Sequence, residues 1–518
     1  MTTRGIIACG HPVTAHAAEE VLRAGGNAFD AAVAAFCAAC VAEPVLASFG
    51  GGGFLLARTA TGQQLLYDFF AQTPRRPRPQ DALDFFPISA DFGTARQIFH
   101  MGLGSVATPG VARGLFAVHQ DLGTLPMQDL VAPAVASARE GVEMNRFQAM
   151  IFDIVAPIYT AHAETRATYA GRDGSGSLLR EGEILRQSEL ADFMEALARE
   201  GAEWFYEGEI ATAIAELCQA GGGHLVREDL SNYRVARRSP LCLDYRGVSL
   251  ATNPPPSSGG ILIAFALRLM EALDFSVRSA DDPSHLHQLA RVMDLTNQAR
   301  IEAALDQANH PHALRLLDVD YLRRYRMELL GRARSSRGTT HISVIDAEGN
   351  IASLTASNGE GCGRLIPDTG VMLNNMLGEE DLNPHGFHAW PANQRMTSMM
   401  APSLAVFPDG TSVALGSGGS NRIRTAILQV LVNLIDFGLP IAEAVSRPRI
   451  HLEGRRLSIE GGFDESLTGQ LRELWPDTEV WSSRNLFFGG VHGVMRQADG
   501  LLDGAGDPRR GGVVVHVD

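Results

Sequence analysis

Residues 338–343 read Gly338-Thr339-Thr340-His341-Ile342-Ser343 and close a polar segment that runs from Arg332 to Gly338. A hydroxyl residue directly after glycine, where a loop meets a strand, suits a self-cleaving precursor. Glycine leaves its carbonyl sterically open, so the Thr339 hydroxyl can attack it, and a strand that follows holds the new terminus rigid. Once cut, Thr339 carries an α-amino group beside its own hydroxyl. Such an amine has an unperturbed pKa of about 7.7–8.0 and can serve as base at neutral pH. Taken alone, Gly-Thr-Thr ahead of a strand reads first as a β-branched strand start.

The surrounding pattern supplies elements that could position this residue. Thr340 to Asp346 alternates, Ala347 to Asn350 is a turn, and Ile351 to Ser357 returns, which predicts a β-hairpin. A second hairpin is predicted from Ser403 to Phe407, through Pro408-Asp409-Gly410, and back along Thr411 to Leu415. A helix is expected from about Arg422 to Phe437. Earlier in the chain, Thr14 to Val45 is helical with a break at Gly25-Gly26, and the Gly50 to Gly53 run leads into a strand at Phe54 to Ala57. That run serves either a close backbone approach or a plain tight turn. Residues 110 to 144 and 185 to 220 read as amphipathic helices. Asn253 to Gly260, with three prolines, reads as a loop, and helical patterns resume from Ile261 to Leu330. A helical half before a strand-rich half predicts an α+β layered protein, not an alternating βα fold.

Composition narrows the function classes. The 518 residues are 45 % hydrophobic and 20 % charged, as in a globular enzyme. A net charge of −15 argues against nucleic-acid or anionic-membrane partners, which need a basic face. No stretch has the length of a membrane span, and the first residues lack a secretory apolar region, so a cytoplasmic protein is expected. The six cysteines show no disulfide-framework spacing, and Cys37 and Cys40 read as small buried hydrophobes in an Ala-rich helix. The pairs His310/His312 and His385/His388 have no acidic or thiol partner at metal spacing and read as surface or loop histidines. No phosphate-cradling glycine motif is present, and no cofactor is expected.

Several segments, in order, resemble the gamma-glutamyltransferase family over nearly the whole chain. They are Gly25 to Val33, Gly50 to Phe54, Ala107 to Gly110, Pro254 to Gly260, Thr339 to Ser343, Leu373-Asn374-Asn375, Gly416 to Gly419, Arg447-Pro448-Arg449 and Gly504 to Arg509. The resemblance implies an N-terminal-nucleophile hydrolase fold, a four-layer αββα sandwich. It implies cleavage between Gly338 and Thr339, giving a large subunit of residues 1–338 and a small subunit of residues 339–518. Thr339 would then be the nucleophile for both processing and catalysis.

Further roles carry over position by position. Ser357 matches a supporting threonine, keeping the hydroxyl without the methyl. Gly418 and Gly419 match the oxyanion pair, although an ungapped count from Arg422 slides that pair to Gly419 and Ser420. Ser398 matches the first of two serines that hold the substrate α-carboxylate, with Met399 at the second. The arginine of that subsite should come from the Pro74–Pro79 region, as Arg76 or Arg78. For the substrate α-amine, Asn358 or Gly359, Met376 and Glu379 occupy the three matching positions, beside Glu380 and Asp381. Asp381 to Gln394 is shorter than the lid of members that have one, which favours hydrolysis over transfer. The implied substrate is a γ-glutamyl amide such as glutathione, with water or an amino-acid or peptide amine as acceptor. Further homodimerisation is left open. Met376 and Met399 favour a first rival, an acylase of the cephalosporin (glutaryl) type on the same scaffold. Ser357 hints at a second, an unprocessed binding protein.

Overall fold

The computed structural model describes residues 3–91, 96–171, 176–271, 273, 279–303, 313–318, 321–322, 325, 339–383 and 386–518. Gly338, the polar segment that ends in it, His310, His312 and His385 lie outside the described residues.

Thirteen strands build two antiparallel sheets. Before residue 338 come β1 (Gly5–Cys9), β2 (Gly52–Arg58), β3 (Gln64–Phe69), β4 (Ala236–Arg238), β5 (Leu241–Tyr245) and β6 (Val248–Thr252). After it come β7 (Thr340–Asp346), β8 (Ile351–Ser357), β9 (Ser403–Val406), β10 (Ser412–Gly418), β11 (Gly490–Arg496), β12 (Leu502–Ala505) and β13 (Val513–Val517). One sheet runs β13-β1-β7-β8-β2-β3-β4 and the other β12-β11-β10-β9-β6-β5. The layers of this α+β protein do not follow the order of the two halves along the chain. Each sheet takes strands from both sides of residue 338, because antiparallel neighbours are chosen by face and register, not by chain order.

The two sheets pack face to face, with β7 and β8 against β10 and β11. Helices cover both outer faces. On the first sheet lie α1 (Pro12–Arg23) and α2 (Ala28–Ala42), with α3 (Met127–Glu140) and α4 (Ser188–Glu200) outside them. On the second sheet lie α5 (Gly259–Met270), with α6 (Pro283–Glu302) packed on it, and α7 (Arg422–Ile435). The result is the αββα sandwich.

Local chemistry explains the key boundaries. The α2 start is a capping box: the Asn27 side chain accepts from the Phe29 and Asp30 N–H groups, and the Asp30 carboxylate accepts from the Asn27 N–H. Every residue of α2 is buried, and its alanines let the helix lie close to β7 and β8. Cys37 and Cys40 are buried there, and burial pushes the Cys37 thiol up to about 12, so neither is a thiolate at neutral pH. The helix after the proline loop begins at Gly259, one residue before the expected loop end, and α7 ends at Ile435, two residues short of Phe437.

Alternation along β7 divides its side chains. Ile342 and Val344 face the α1–α2 layer, each contributing about 1.5–3 kcal/mol by burial, whereas His341 and Ser343 lie between the sheets. His341 bonds Thr355 Oγ1 through Nδ1 (2.7 Å) and Ser343 Oγ through Nε2 (2.9 Å). Burial holds its pKa well below the ordinary histidine value, so the ring is neutral. Its Cε1 lies 2.4 Å from where a Cβ on Gly416 would stand, which explains the first glycine of Gly416-Ser-Gly-Gly.

Candidate active site

Register places the central pair. In the β7–β8 hairpin Thr340 faces Ala356 and His341 faces Thr355, so the next step outward sets Thr339 opposite Ser357. Thr339 is 3 % exposed, and both residues line one narrow cleft. The Ser357 hydroxyl oxygen accepts from the Gly359 N–H at 3.0 Å.

The four-glycine run is both a turn and a close approach: the Gly51 N–H donates to the Ser48 carbonyl at 3.1 Å, and the run then packs against neighbouring backbone. A Cβ on Gly51 would stand 2.3 Å from the Ser357 carbonyl oxygen, and one on Gly52 2.6 Å from the Ala71 nitrogen. One on Gly50 would stand 2.2 Å from the Met372 carbonyl oxygen. Bare backbone thus draws β8, the Phe70–Ala71 segment and the 372–374 segment together around the cleft. Asn374 fixes the last of these, its Nδ2 donating to the Gly50 and Ala107 carbonyls at 2.7 and 2.9 Å.

The oxyanion loop closes one end. β10 ends at Gly418, Gly419 takes φ +123° and Ser420 φ +49°, and α7 begins at Arg422. Gly418 sits on the nucleophile's backbone, since its Cβ would lie 1.9 Å from the Thr339 carbonyl oxygen, while Ser420 lines the cleft. The helix start adds its positive dipole end to this loop. Gly418→Ala is therefore expected to displace Thr339 and stop conversion to two fragments, which gel electrophoresis of the purified protein would show.

Ser398 is also at the cleft, and the proline loop holds it there. Its carbonyl accepts from the Ser258 and Gly259 N–H groups (2.9 and 3.1 Å) and from Ser257 Oγ (2.7 Å). A Cβ on Gly259 would meet the Met399 carbonyl oxygen at 2.1 Å. Glu379 lines the cleft too, and its Oε1 lies 2.3 Å from where a Cβ on Gly359 would stand, so glycine at 359, with φ +65°, makes room for the carboxylate. Asn358 is fully buried beside Ser357 but does not line the cleft. Neither Oδ1 nor Nδ2 has a hydrogen-bond partner among the described residues.

Two sequence-derived residues are not brought to the site. Arg78 donates from Nη1 to the Cys218 and Gln219 carbonyls at the C-terminus of helix Glu209–Gly221, both at 3.1 Å, and to the Gly223 carbonyl just beyond it at 3.2 Å. Arg76 is exposed and does not line the cleft. The side chain that does arrive from this part of the chain is Phe70, whose carbonyl accepts from Arg395 and from the Tyr233 hydroxyl. The rest of the lining is Met376, Leu382, Met399, Met400 and Ile423, and no arginine or histidine is among the described lining residues. Sequence reasoning missed Phe70, Leu382, Met400 and Ile423, because apolar residues near strand and helix ends read as core. His388, expected at the surface or in a loop, lies in a loop and is half-buried against Phe85 and near His224. Among the described residues no group of three or more His, Cys, Asp or Glu is arranged to hold a metal ion.

A buried charge network supports this end of the sandwich. Asp507 Oδ2 accepts from Arg449 Nη2 (2.7 Å) and the Val491 N–H (2.9 Å), while Oδ1 accepts from the Arg509 N–H (3.0 Å) and Nη1 (3.1 Å). Arg509 also pairs with Glu460. Burial alone would raise the Asp507 carboxyl, but the Arg449 and Arg509 charges and the N–H donors overcome it and hold it at about 2.

With this geometry in view, comparison with known proteins is informative. A model of the gamma-glutamyltranspeptidase family matches residues 14–517. The acylase ACY 1 proenzyme of Pseudomonas sp. (strain V22) is 31 % identical, over 99 % of this chain and 94 % of its own. The glutathione hydrolase proenzyme of Escherichia coli (strain K12) is 30 % identical, over 98 % and 90 %. The crystal structure of cephalosporin acylase from Bacillus halodurans superposes with a TM-score of 0.86 at 25 % identity, covering 99 % of this chain and 96 % of that one. A buried threonine at the head of a central strand, a glycine loop against it and a match along nearly the whole length agree: the chain belongs to the gamma-glutamyltranspeptidase family, as an enzyme with the fold of its autoprocessed N-terminal-nucleophile members.

Proposed function

We propose that Thr339 is the nucleophile of an amidohydrolase that cleaves γ-glutamyl amides of the glutathione type, with water preferred over an amine as acceptor. The observation that carries this reading is that Thr339 and Ser357, at the open end of the β7–β8 hairpin, line one cleft that the Gly418–Ser420 loop closes. In maturation the Thr339 hydroxyl attacks the Gly338 carbonyl carbon. The peptide C–N bond breaks as the acyl group passes to the oxygen, which frees the amine, and water then hydrolyses the resulting ester, releasing the Gly338 carboxylate and restoring the Thr339 hydroxyl. In turnover that amine takes the hydroxyl proton as Thr339 Oγ attacks the substrate carbonyl. Backbone N–H groups of the Gly418–Ser420 loop hold the oxyanion, the leaving amine takes the proton, and water resolves the acyl-Thr339 ester. Glu379 offers a partner to the donor's ammonium. The cytoplasmic location expected from the sequence belongs to this proposal; among the described residues no helix is long and apolar enough to cross a membrane.

A second reading is an acylase that takes an acyl chain without the ammonium. It is favoured by Met376 and Met399 at positions where polar contacts to an amino-acid head group would be expected, with Phe70 adding a further apolar wall. Three anilides separate the two: γ-glutamyl, 4-aminobutyryl (no carboxylate) and glutaryl (no amine). The first two are expected to turn over at comparable kcat/KM, because no described lining cation reads the carboxylate. Glutaryl anilide, with a carboxylate near Glu379, is expected to be about tenfold or more slower. Glu379→Gln should lower kcat/KM by about ten- to hundredfold for the amine-bearing donors only. Preference for the glutaryl anilide would install the second reading in place of the first.

A further inference from the structure

Two buried charged side chains that the mechanism above does not use hold the first two residues of the small subunit. Arg510 Nη1 donates to the Thr339 carbonyl at 3.2 Å. The Thr340 hydroxyl donates to Glu43 Oε2 at 3.0 Å, and the Thr14 hydroxyl to Glu43 Oε1 at 2.9 Å. Glu43 is 1 % and Arg510 4 % exposed. The backbone is shaped around both. A Cβ on Gly10 would meet Glu43 Oε2 at 2.6 Å, and one on Gly490 would meet Arg510 Cδ at 2.4 Å. Gly418, in the oxyanion loop, stands between Arg510 and Thr339, its Cβ position 3.1 Å from Arg510 Nη1.

We propose that Arg510 and Glu43 are positioning residues for the nucleophile, fixing the Thr339–Thr340 backbone against the oxyanion loop and setting the electric field at the Thr339 amine. This rests on Thr339 being the nucleophile. A cation bonded to the carbonyl of a residue disfavours protonation of the amine on that same residue, so Arg510 keeps the base in its free form. Glu43, one residue further on, acts in the opposite sense. Isolated burial of either charge is strongly unfavourable, and the two offset each other. Burial pushes the Glu43 carboxyl up to about 7, against the Thr14 and Thr340 hydroxyls and the Arg510 charge. Burial likewise lowers Arg510 to about 10, against Asp507, Glu43 and Glu360. Among the described residues, other titratable groups here are Glu379 in the cleft, the Cys9 and Cys40 thiols beside Glu43, which burial pushes up, and His341 and His492, which burial pushes down; the thiols and both rings are neutral at working pH.

The test uses the full chain with Arg510→Gln, Arg510→Lys and Glu43→Gln, following fragment formation and the pH profile of kcat/KM. Arg510→Gln is expected to slow processing about ten- to hundredfold. It should also move the acid limb of the mature enzyme's profile up by about one pH unit, with kcat falling more than KM rises. Arg510→Lys, which keeps the charge, should return the limb toward wild type, and Glu43→Gln should move it down. Opposite shifts in the two charge-removing variants support the proposal. Unmoved limbs, or shifts in one direction accompanied only by a lower melting temperature, overturn it and leave a structural brace. If Arg510→Gln yields no folded protein, the direction of the Glu43→Gln shift decides alone. A wild-type chain that is not cut at Thr339 would sink the nucleophile assignment itself, whereas cutting at Thr339 with unmoved limbs sinks only this inference.

Discussion

Thr339→Ala is expected to leave one 518-residue species on denaturing mass measurement, where the wild type gives two fragments with a junction at Thr339. Activity should fall by on the order of 10⁵-fold or more, because one substitution removes the attacking oxygen and, by blocking the cut, also withholds the amine that serves as its base. Thr339→Ser separates these contributions. It keeps a hydroxyl at the position just before β7 and should still process, more slowly, since serine lacks the methyl that restricts the rotamer. Processing of the alanine variant at the same junction would show that the cut does not need this hydroxyl, and the nucleophile would have to be sought elsewhere in the cleft.

Asp507→Asn is expected to destabilise the folded protein by about 3–5 kcal/mol, the range for removing one member of a buried charge pair. The loss follows from the geometry: Arg449 Nη2 and Arg509 Nη1 both bond this carboxylate, and neither can turn to water. The pH dependence has a definite sign. The Asp507 pKa is depressed to about 2 in the folded chain, below the unfolded value of about 3.9. Its contribution is therefore fully present above about pH 4 and is lost as pH falls toward 2. Urea midpoints of wild type and variant should differ most at neutral pH and converge between about pH 4 and pH 2. A constant gap across that window would mean that Asp507 does not carry the linkage.

The part of the site that lies in one stretch of chain was legible in the sequence. Alternation from Thr340 to Asp346, a turn and a matching return strand predict the hairpin, and its register alone sets Thr339 across from Ser357. The glycine run was also visible, as a close approach or a tight turn, and the proline segment as a loop. The run meets the Ser357 and Ala71 backbones, and the loop holds Ser398. What was not legible depends on where distant segments meet. The arginine pair at 76 and 78 follows the strand end closely, yet a bond from the Thr73 N–H to the Gln394 carbonyl (2.9 Å) and the Arg78 contacts at residues 218–223 lead that segment away from the cleft. Phe70, Glu43 and Arg510 belong to no motif that marks them out in the sequence. Nothing local announces that 297 and 171 residues separate Glu43 and Arg510 from the Thr340 and Thr339 atoms they bond.

With the cut at Thr339 proposed above, the sharing of both sheets between the two sides of residue 338 makes maturation a one-way event. The precursor brings β7 between β1 and β8 as part of a single chain, so its partners arrive at high effective concentration through the connecting polypeptide. After the cut the fragments remain interleaved through two sheets, and none of those pairings is lost. An unfolded mature pair, however, must find each partner again as a second-order encounter while both expose incomplete sheets. The cleaved enzyme is in this sense a product that preserves its assembly instructions only as long as it stays folded, with a lifetime governed by its unfolding rate instead of its equilibrium stability.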